Sequence, residues 1–288
     1  MQVKVINTQT VKPSSLPLVI GYFGCIHVMH GQLFTMYHHY NVLTFKDMTS
    51  KVGTQIYPYK DRIRNIAEFK PRNIFIYDIA KNNMKAEEFI QKILLKINPS
   101  SIIVGTDFTF GSDHQSYEIL KKYFKVEAMH YNSRVSTTII ADLLKNKDME
   151  KANGLMFFPF YYNSKWITGL GRGKTIGCRT INLAIDYPVY VPEGCYVSKI
   201  KLAGRTFRSV TFYGKSPVFH AEKPTLETHV IGTTIPPRFF FPRMIKDNVK
   251  VEFLKYIREP KTFASKEELI KAIKDDIKEA KEYFEQNK

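Results

Sequence analysis

Apolar and polar positions follow two different rhythms along this chain. In the first half, apolar runs of strand length recur at Leu18 to Tyr22, Asn41 to Phe45, Asn73 to Tyr77, Ser101 to Val104 and Lys125 to Met129. Between the third and fourth runs, Ala86, Phe89, Ile90, Ile93, Leu94 and Ile97 fall on one face of a helix, which Asn98-Pro99 ends. A second helix is expected over Gln115 to Phe124, and a third over Thr137 to Leu144 with the Ser136 hydroxyl as its cap. Strands separated by helices imply a parallel sheet with crossovers, an α/β domain of Rossmann type. In such sheets a ligand sits beyond the carboxyl ends of the strands.

The rhythm changes between residues 150 and 165. From there to about residue 257 the pattern is one of short strands broken by turns at Pro188, Pro192-Glu193-Gly194, Ala203-Gly204, Gly214 and Pro236-Pro237. The runs Cys195 to Leu202, Thr206 to Phe212 and Val249 to Ile257 suit a β-barrel or sandwich. Ser265-Lys266-Glu267-Glu268 reads as a capping box that opens a terminal helix, with Leu269, Ile273, Ile277, Ala280 and Phe284 as its apolar face. Two domains are expected, 1–152 and 153–288. There is no internal repeat and no low-complexity segment.

Composition narrows this picture only slightly. The 288 residues are 44% hydrophobic, enough for two cores. No apolar stretch is long enough to cross a bilayer, and the N-terminal residues lack the apolar core of a signal peptide. The odd set Cys25, Cys178 and Cys195 is no disulfide framework, so a reducing, cytoplasmic setting is expected. A net charge of +16 favours anionic partners. It admits a nucleic-acid-binding protein, although no clustered basic stripe or aromatic platform accompanies the charge.

Candidate chemistry begins at Gly21-Tyr22-Phe23-Gly24-Cys25-Ile26-His27-Val28-Met29-His30. Cys25, His27 and His30, with His38 and His39 nearby, could hold a metal, but no second matched cluster completes four closed ligands. A buried core histidine is a second reading. The third is a strand–turn–helix site for phosphate. Two imidazoles three apart on a first helical turn point the same way, and the helix end supplies free N–H groups. Asp107 in Val104 to Gly111, and Ser136, Thr137 and Thr138 at a helix start, belong with it. In the second half, Gly169, Gly171, Gly173 and Gly177 interleave with Arg172 and Lys174. Glycines let backbone N–H groups approach phosphate oxygens, and the cations offset the charge. The spacing is not that of a Walker loop, and an ordinary hairpin is the alternative.

Taken together, these motifs resemble the bifunctional riboflavin kinase/FAD synthetase family over nearly the whole chain. Gly21 to His30 stands for the family's G-x-F-D-G-V-H-x-G-H, Val104 to Gly111 for V-G-x-D/N-F-x-F-G, and Val135 to Ala141 for V-S-S-T-x-I-R. Gly169 to Asn182 stands for G-D-G-R-G-R-T-L-G-F-P-T-A-N, and Leu226 to Val230 for the E-x-H segment. The resemblance implies a nucleotidyltransferase-like first domain and a β-barrel kinase domain with a terminal helix. It implies two activities: riboflavin and ATP give FMN, and FMN and ATP give FAD. By resemblance, Thr180 and Asn182 hold Mg²⁺ and the ATP phosphates, Glu227 is the catalytic base, and Arg258 belongs to the flavin-side close of the domain. A base of that kind fits the chemistry, because an alcohol is a poor nucleophile at neutral pH.

Departures fall on both domains. Gly24 stands for the family's Asp, Cys25 for Gly, Met29 for the Gly between the histidines, and Ala141 for Arg. In the second domain Arg179 replaces Pro, and Phe212 and Val218 replace Asn and Thr. A kinase with a catalytically silent first domain is therefore a rival expectation to the bifunctional one.

Overall fold

The computed structural model describes residues 1–46, 55–130, 135–169, 178–215, 223–233, 235–236 and 242–287. They form two compact units, Met1–Ile139 and Ile140–Lys288.

The first unit contains β1 (Gln2–Ile6), β2 (Leu18–Ile20), β3 (Asn41–Phe45), β4 (Asn73–Tyr77), β5 (Ile102–Gly105), β6 (Thr109–Phe110), β7 (Gln115–Ser116) and β8 (Val126–Met129). Six of these build one sheet in the order β1-β4-β3-β2-β5-β8, with every pairing parallel. All of β2 and β3 is buried, which is why these strands read as unbroken apolar runs. β1 carries no such run because it is an edge strand; Gln2 to Val5 are exposed and only Ile6 reaches the core.

Helices α1 (Val28–Thr35) and α2 (Tyr59–Ala67) follow β2 and β3 in the chain. Helix α3 opens over Ala86–Phe89, passes through a π-helical stretch at Ile90–Leu94 and closes over Leu95–Ile97. Its six expected core residues are all buried in one cluster with Leu18, Ile20, Leu43 and Ile102. Asn98 ends it in the left-handed conformation at φ 52°.

The helix expected over Gln115 to Phe124 is not formed as such. Gln115 and Ser116 pair with β6 instead, and Tyr117–Lys122 is a 3₁₀ turn capped by Ser116 Oγ. Strand pairing takes the first two residues, and Ser116 Oγ then accepts from Glu118 N at 3.4 Å to start the tighter turn. Helix α4 (Thr137–Lys145) starts where expected, with Ser136 Oγ accepting from Ile139 N at 3.2 Å.

The strand order fixes where a ligand can bind. β3 and β4 lie to one side of β2 and β5 to the other. The crevice beyond the carboxyl ends of β2 and β5 is therefore the topological switch point. Residues 21–27 and 106–111 enter that crevice.

The second unit includes helix α5 (Met149–Leu155) ahead of its sheet. Its strands are β9 (Tyr161–Ser164), β10 (Trp166–Ile167), β11 (Ile181–Leu183), β12 (Gly194–Leu202), β13 (Arg205–Gly214), β14 (Thr225–Val230) and β15 (Val249–Arg258). They form one antiparallel sheet in the order β10-β11-β14-β13-β12-β15-β9. The two end strands, β9 and β10, are separated in the chain by Lys165 alone. Such a sheet must curl until its ends approach, which makes it the half-barrel that the pattern of short strands predicts.

Inside it, four fully buried hydroxyls form a chain across three strands: Ser209 to Ser198 at 2.8 Å, Ser198 to Thr211 at 2.7 Å and Thr211 to Thr228 at 2.9 Å. Each satisfies the next, which is what makes so much buried polarity tolerable.

After the short α6 (Arg243–Lys246), helix α7 (Lys266–Gln286) closes the unit. Ser265 Oγ accepts from Glu268 N at 3.2 Å, and Glu268 in turn accepts from Ala264 N at 3.0 Å. Ala280 and Phe284 pack on Val197, Val210 and Leu254. The same helix carries Asp276, which is 4% exposed and receives a bidentate bond from Arg258 at 2.8 and 2.7 Å. The pair fastens the helix to the end of β15.

Candidate active sites

In the first unit, the chain leaves β2 at Ile20 and turns through 21–26, with Phe23 at φ 53°. His27 is the cap of α1, its Nδ1 accepting from the His30 backbone N–H at 3.4 Å. The two imidazoles stack with centroids 3.6 Å apart. His30 Nδ1 lies 3.2 Å from the Cys25 carbonyl. A carbonyl only accepts, so His30 carries its proton on Nδ1, whereas neutral His27 carries its own on Nε2. Burial pulls His27 down to about 4, with Asp107 opposing. His30 is held well below the ordinary value by burial and then by His27, with its bond to the Cys25 carbonyl opposing. Both rings are neutral at pH 7.

These histidines line a cavity of about 850 Å³. Its polar lining of Gly21, Gly24, His27, His30, Asp107, Ser136, Thr137 and Thr138 brings together all six residues expected there from sequence. Its aromatic lining includes Phe45 and the contacting rings Tyr77, Phe89, Phe110 and Phe108. Sequence reasoning missed the aromatic residues because each reads as ordinary core.

It also missed Arg62, which is 1% exposed. Arg62 donates to the Tyr22 carbonyl at 2.6 Å and the Phe45 carbonyl at 2.8 Å, and its guanidinium lies 4.2 Å from the Tyr22 ring centroid. A cation in a polar helix reads as solvent-facing, yet this one sets the turn that carries the histidines.

The family's substitutions have local consequences. A Cβ at Gly24 would sit 3.2 Å from Thr137 Cγ2, so a side chain there needs that methyl to give by a few tenths of an ångström. Met29 is not among the residues that line the cavity. Ala141 is fully buried. Among the described residues lining the cavity none is Lys or Arg; its basic groups are His27, His30 and His114. Burial pushes the Cys25 thiol up to about 12, against the smaller opposing effect of its bond to Thr137 Oγ1 at 3.7 Å. Among the described residues, no three His, Cys, Asp or Glu side chains are placed to hold a metal.

The site in the second unit is made by strand register. β11 and β14 pair so that Asn182 lies directly across from Glu227, and Glu227 lies across from Phe212 on the other side. Thr225, Glu227 and His229 alternate with buried Leu226, Thr228 and Val230, so the three share the outward face of β14. Thr180 Oγ1 donates to Glu227 Oε2 at 3.1 Å. Gly169 belongs to the same cluster, since a Cβ built there would overlap the Asn182 amide. Gly169, Thr180, Asn182 and Glu227 thus converge although 58 positions separate the first from the last. Gly171, Arg172, Gly173, Lys174 and Gly177 lie outside the described residues. Arg258 is placed on Asp276 and on the Glu259 carbonyl at 3.1 Å.

A parallel α/β unit with a switch-point cavity, followed by an antiparallel half-barrel with its own carboxylate, defines a two-domain class of protein. Comparison with known proteins gives the class its family. Residues 10–140 match the FAD synthetase family model and residues 156–284 the riboflavin kinase model. A trifunctional protein RibF/MnmA of Mycoplasmoides gallisepticum is 33% identical over 97% of this chain, which spans 42% of that relative's length. Bifunctional riboflavin kinase/FMN adenylyltransferases of Mycoplasma pneumoniae and Bacillus subtilis are 25% and 24% identical over 94% and 93% of this chain, and 98% and 92% of their own. A crystal structure of a macrolide-efflux protein from Streptococcus pneumoniae superposes with a TM-score of 0.82 at 24% identity, covering 97% of this chain and 98% of that one; it speaks to the fold alone. Among the described residues no helix is long and apolar enough to cross a membrane. The chain belongs to the bifunctional riboflavin kinase/FAD synthetase family, whose enzymes make flavin cofactors with ATP as co-substrate.

Proposed function

We propose that residues 153–288 phosphorylate riboflavin to FMN and that residues 1–152 adenylylate FMN to FAD, in the cytoplasm. The observation that carries the kinase reading is the convergence of Thr180, Asn182 and Glu227 on one sheet face. Glu227 takes the proton of the terminal ribityl hydroxyl. That oxygen forms a bond to the γ-phosphorus of ATP, the bond from γ-phosphorus to the β-bridging oxygen breaks, and ADP leaves. Arg258, fixed by Asp276, flanks the flavin side. The glycines 169, 171, 173 and 177, with Arg172 and Lys174, wrap the phosphates.

The donor set fits magnesium. Thr180 and Asn182 offer hard oxygens, and so small a set matches an ion that keeps water and takes its other ligands from substrate phosphates. When bound, Mg²⁺ would neutralise charge on the phosphates.

In the first unit, the aromatic residues lining the cavity suit the flavin ring and the polar ones the phosphates. An FMN phosphate oxygen attacks the α-phosphorus of ATP and pyrophosphate leaves. His27, His30, Ser136, Thr137, Thr138 and the N–H groups of α1 hold the departing charge, and Asp107 orients the adenosine side. One observation favours the rival reading of a silent first unit, namely the absence of Lys and Arg among the described cavity residues.

Incubation with riboflavin, ATP and Mg²⁺ followed by chromatography of the flavins decides between these readings. FAD is expected. FMN alone establishes the silent-unit reading, and no flavin product removes both.

A further inference from the structure

We infer that His229 is a positioning residue of the kinase site, acting through the backbone of Arg179 to hold Thr180 and Asn182 against Glu227. The inference rests on the assignment of Glu227 as the base. Register carries the argument. The β11–β14 ladder has its last described pair at Ile181 and Thr228, which puts His229 opposite Thr180, one step beyond the ladder's end. At that step a side chain continues the connection: His229 Nδ1 lies 2.9 Å from the Arg179 carbonyl oxygen. The carbonyl can only accept, so the imidazole holds its proton on Nδ1 and donates. The Cys178 sulfur lies 3.4 Å from the same nitrogen, so the imidazole touches both residues that precede Thr180.

The consequence is mechanical. Arg179 has no ring to fix its φ, so the chain entering β11 would otherwise be free to swing just before Thr180. Thr180 is the residue whose hydroxyl meets Glu227 at 3.1 Å, and Asn182 follows two positions on. His229 stands on the same strand and the same face as Glu227, so one rigid element carries the base and the clamp together. Its imidazole is aimed at the backbone that delivers the phosphate-side groups.

The two ring nitrogens make the test selective. Asn at this position sets its amide N–H near the place of Nδ1 and can still reach the Arg179 carbonyl, whereas Gln sets it near Nε2 and cannot. His229→Gln and His229→Ala are expected to lower kcat for FMN formation by roughly ten- to a hundredfold and to raise KM for Mg-ATP, because a misplacement of about 1 Å costs that much. His229→Asn is expected to stay within about threefold of the parent, the bond being replaced rather than removed. Thermal melts and amide protection of β12 and β15, measured in the same preparations, report that the second unit of each variant is folded. Equal losses in the Asn and Gln variants, or full activity in the Ala variant, overturn the inference. A ¹⁵N spectrum of the unmodified protein tests it without any variant: an Nδ1–H tautomer for His229 is expected, and an Nε2–H tautomer overturns it. Glu227→Gln separates the two levels. If it is active, the base assignment fails; if it is inactive while His229→Gln is normal, only the positioning role fails.

Discussion

The two units solve the same chemical problem, gathering charge around phosphate, with opposite architectures. In the first, the polar site residues hang on loops or helix starts beyond the strand ends, and the cavity takes its basic groups from imidazoles. In the second, the site lies on the strands themselves, and a register of paired residues sets Asn182 against Glu227. Loop-borne sites can lose a residue and keep their shape. A register-borne site cannot, because shifting a strand by one position turns every side chain to the other face. Departures from the family touch both sites: Gly24 and Cys25 in the turn of the first, Arg179 and Phe212 beside Thr180 and Glu227 in the second.

The largest effect should come from breaking the register-borne site at its centre. Glu227→Gln keeps the shape of the side chain and removes its capacity to take a proton. FMN formation should fall by roughly 10²- to 10⁴-fold, with adenylylation of supplied FMN unchanged. Chromatographic assay of both products in one reaction checks it. Loss of both activities together would mean that the two units do not work independently.

What could be read without coordinates follows the same division. β3, β4, the buried face of α3 and the capped starts of α4 and α7 were all legible, because each is a local signal of period, cap or turn. The polar lining of the cavity was legible because three motifs each placed polar groups at a strand exit or a helix start. Arg62 and Asp276 were not. Both are charged residues in otherwise polar helices, and only tertiary contacts reveal that each is buried and matched: Arg62 by two carbonyls, Asp276 by Arg258. The opposition of Asn182 and Glu227 was also hidden, since register between strands 45 positions apart leaves no mark in the order of residues.

Asp276→Asn tests the fastening of α7 to the half-barrel. It leaves the Arg258 guanidinium, whose side chain is 17% exposed, without its carboxylate. Removing one partner of a buried pair typically costs about 3 kcal/mol. Hydrogen exchange should show that loss in β12, β15 and α7 and leave β2 and β3 protected as before. A uniform loss across both units would contradict the division drawn above.

pH should separate the units in the other direction. His27 has its folded value near 4 against an ordinary 6.5. Between those values the unfolded chain binds a proton that the folded site refuses, so stability is fully present above about 6.5 and is lost as pH falls toward 4. The slope is up to about 1.4 kcal/mol per pH unit from this ring, and His30 adds to it in the same direction. Amides of β2 and α1 should therefore lose protection between pH 7 and 5. Saturating ATP should flatten that loss, because phosphate favours the charged ring. No change in those amides would mean that the imidazoles are already charged, and the cavity would then need no further cation.

The smallest effect concerns the turn that sets the register of the second unit. Leu202 and Arg205 pair across the two-residue turn Ala203-Gly204, and both turn residues have positive φ, 51° and 74°. Hairpins of this length favour that geometry because its twist matches the strands, and Asn-Gly is its preferred pair. Glycine bears the conformation freely, but alanine does so at a cost of about 1 kcal/mol. Ala203→Asn should recover part of this and raise stability by about 0.5 kcal/mol, while Ala203→Val should lose about 1 kcal/mol or more. Both changes lie at the far end of β12 and β13 from Gly194 and Gly214. Denaturant melts should therefore move in opposite directions for the two variants while kcat for FMN formation stays fixed. If kcat moved with stability, the register at Asn182 and Glu227 would depend on the whole hairpin rather than on the pairing of β11 with β14.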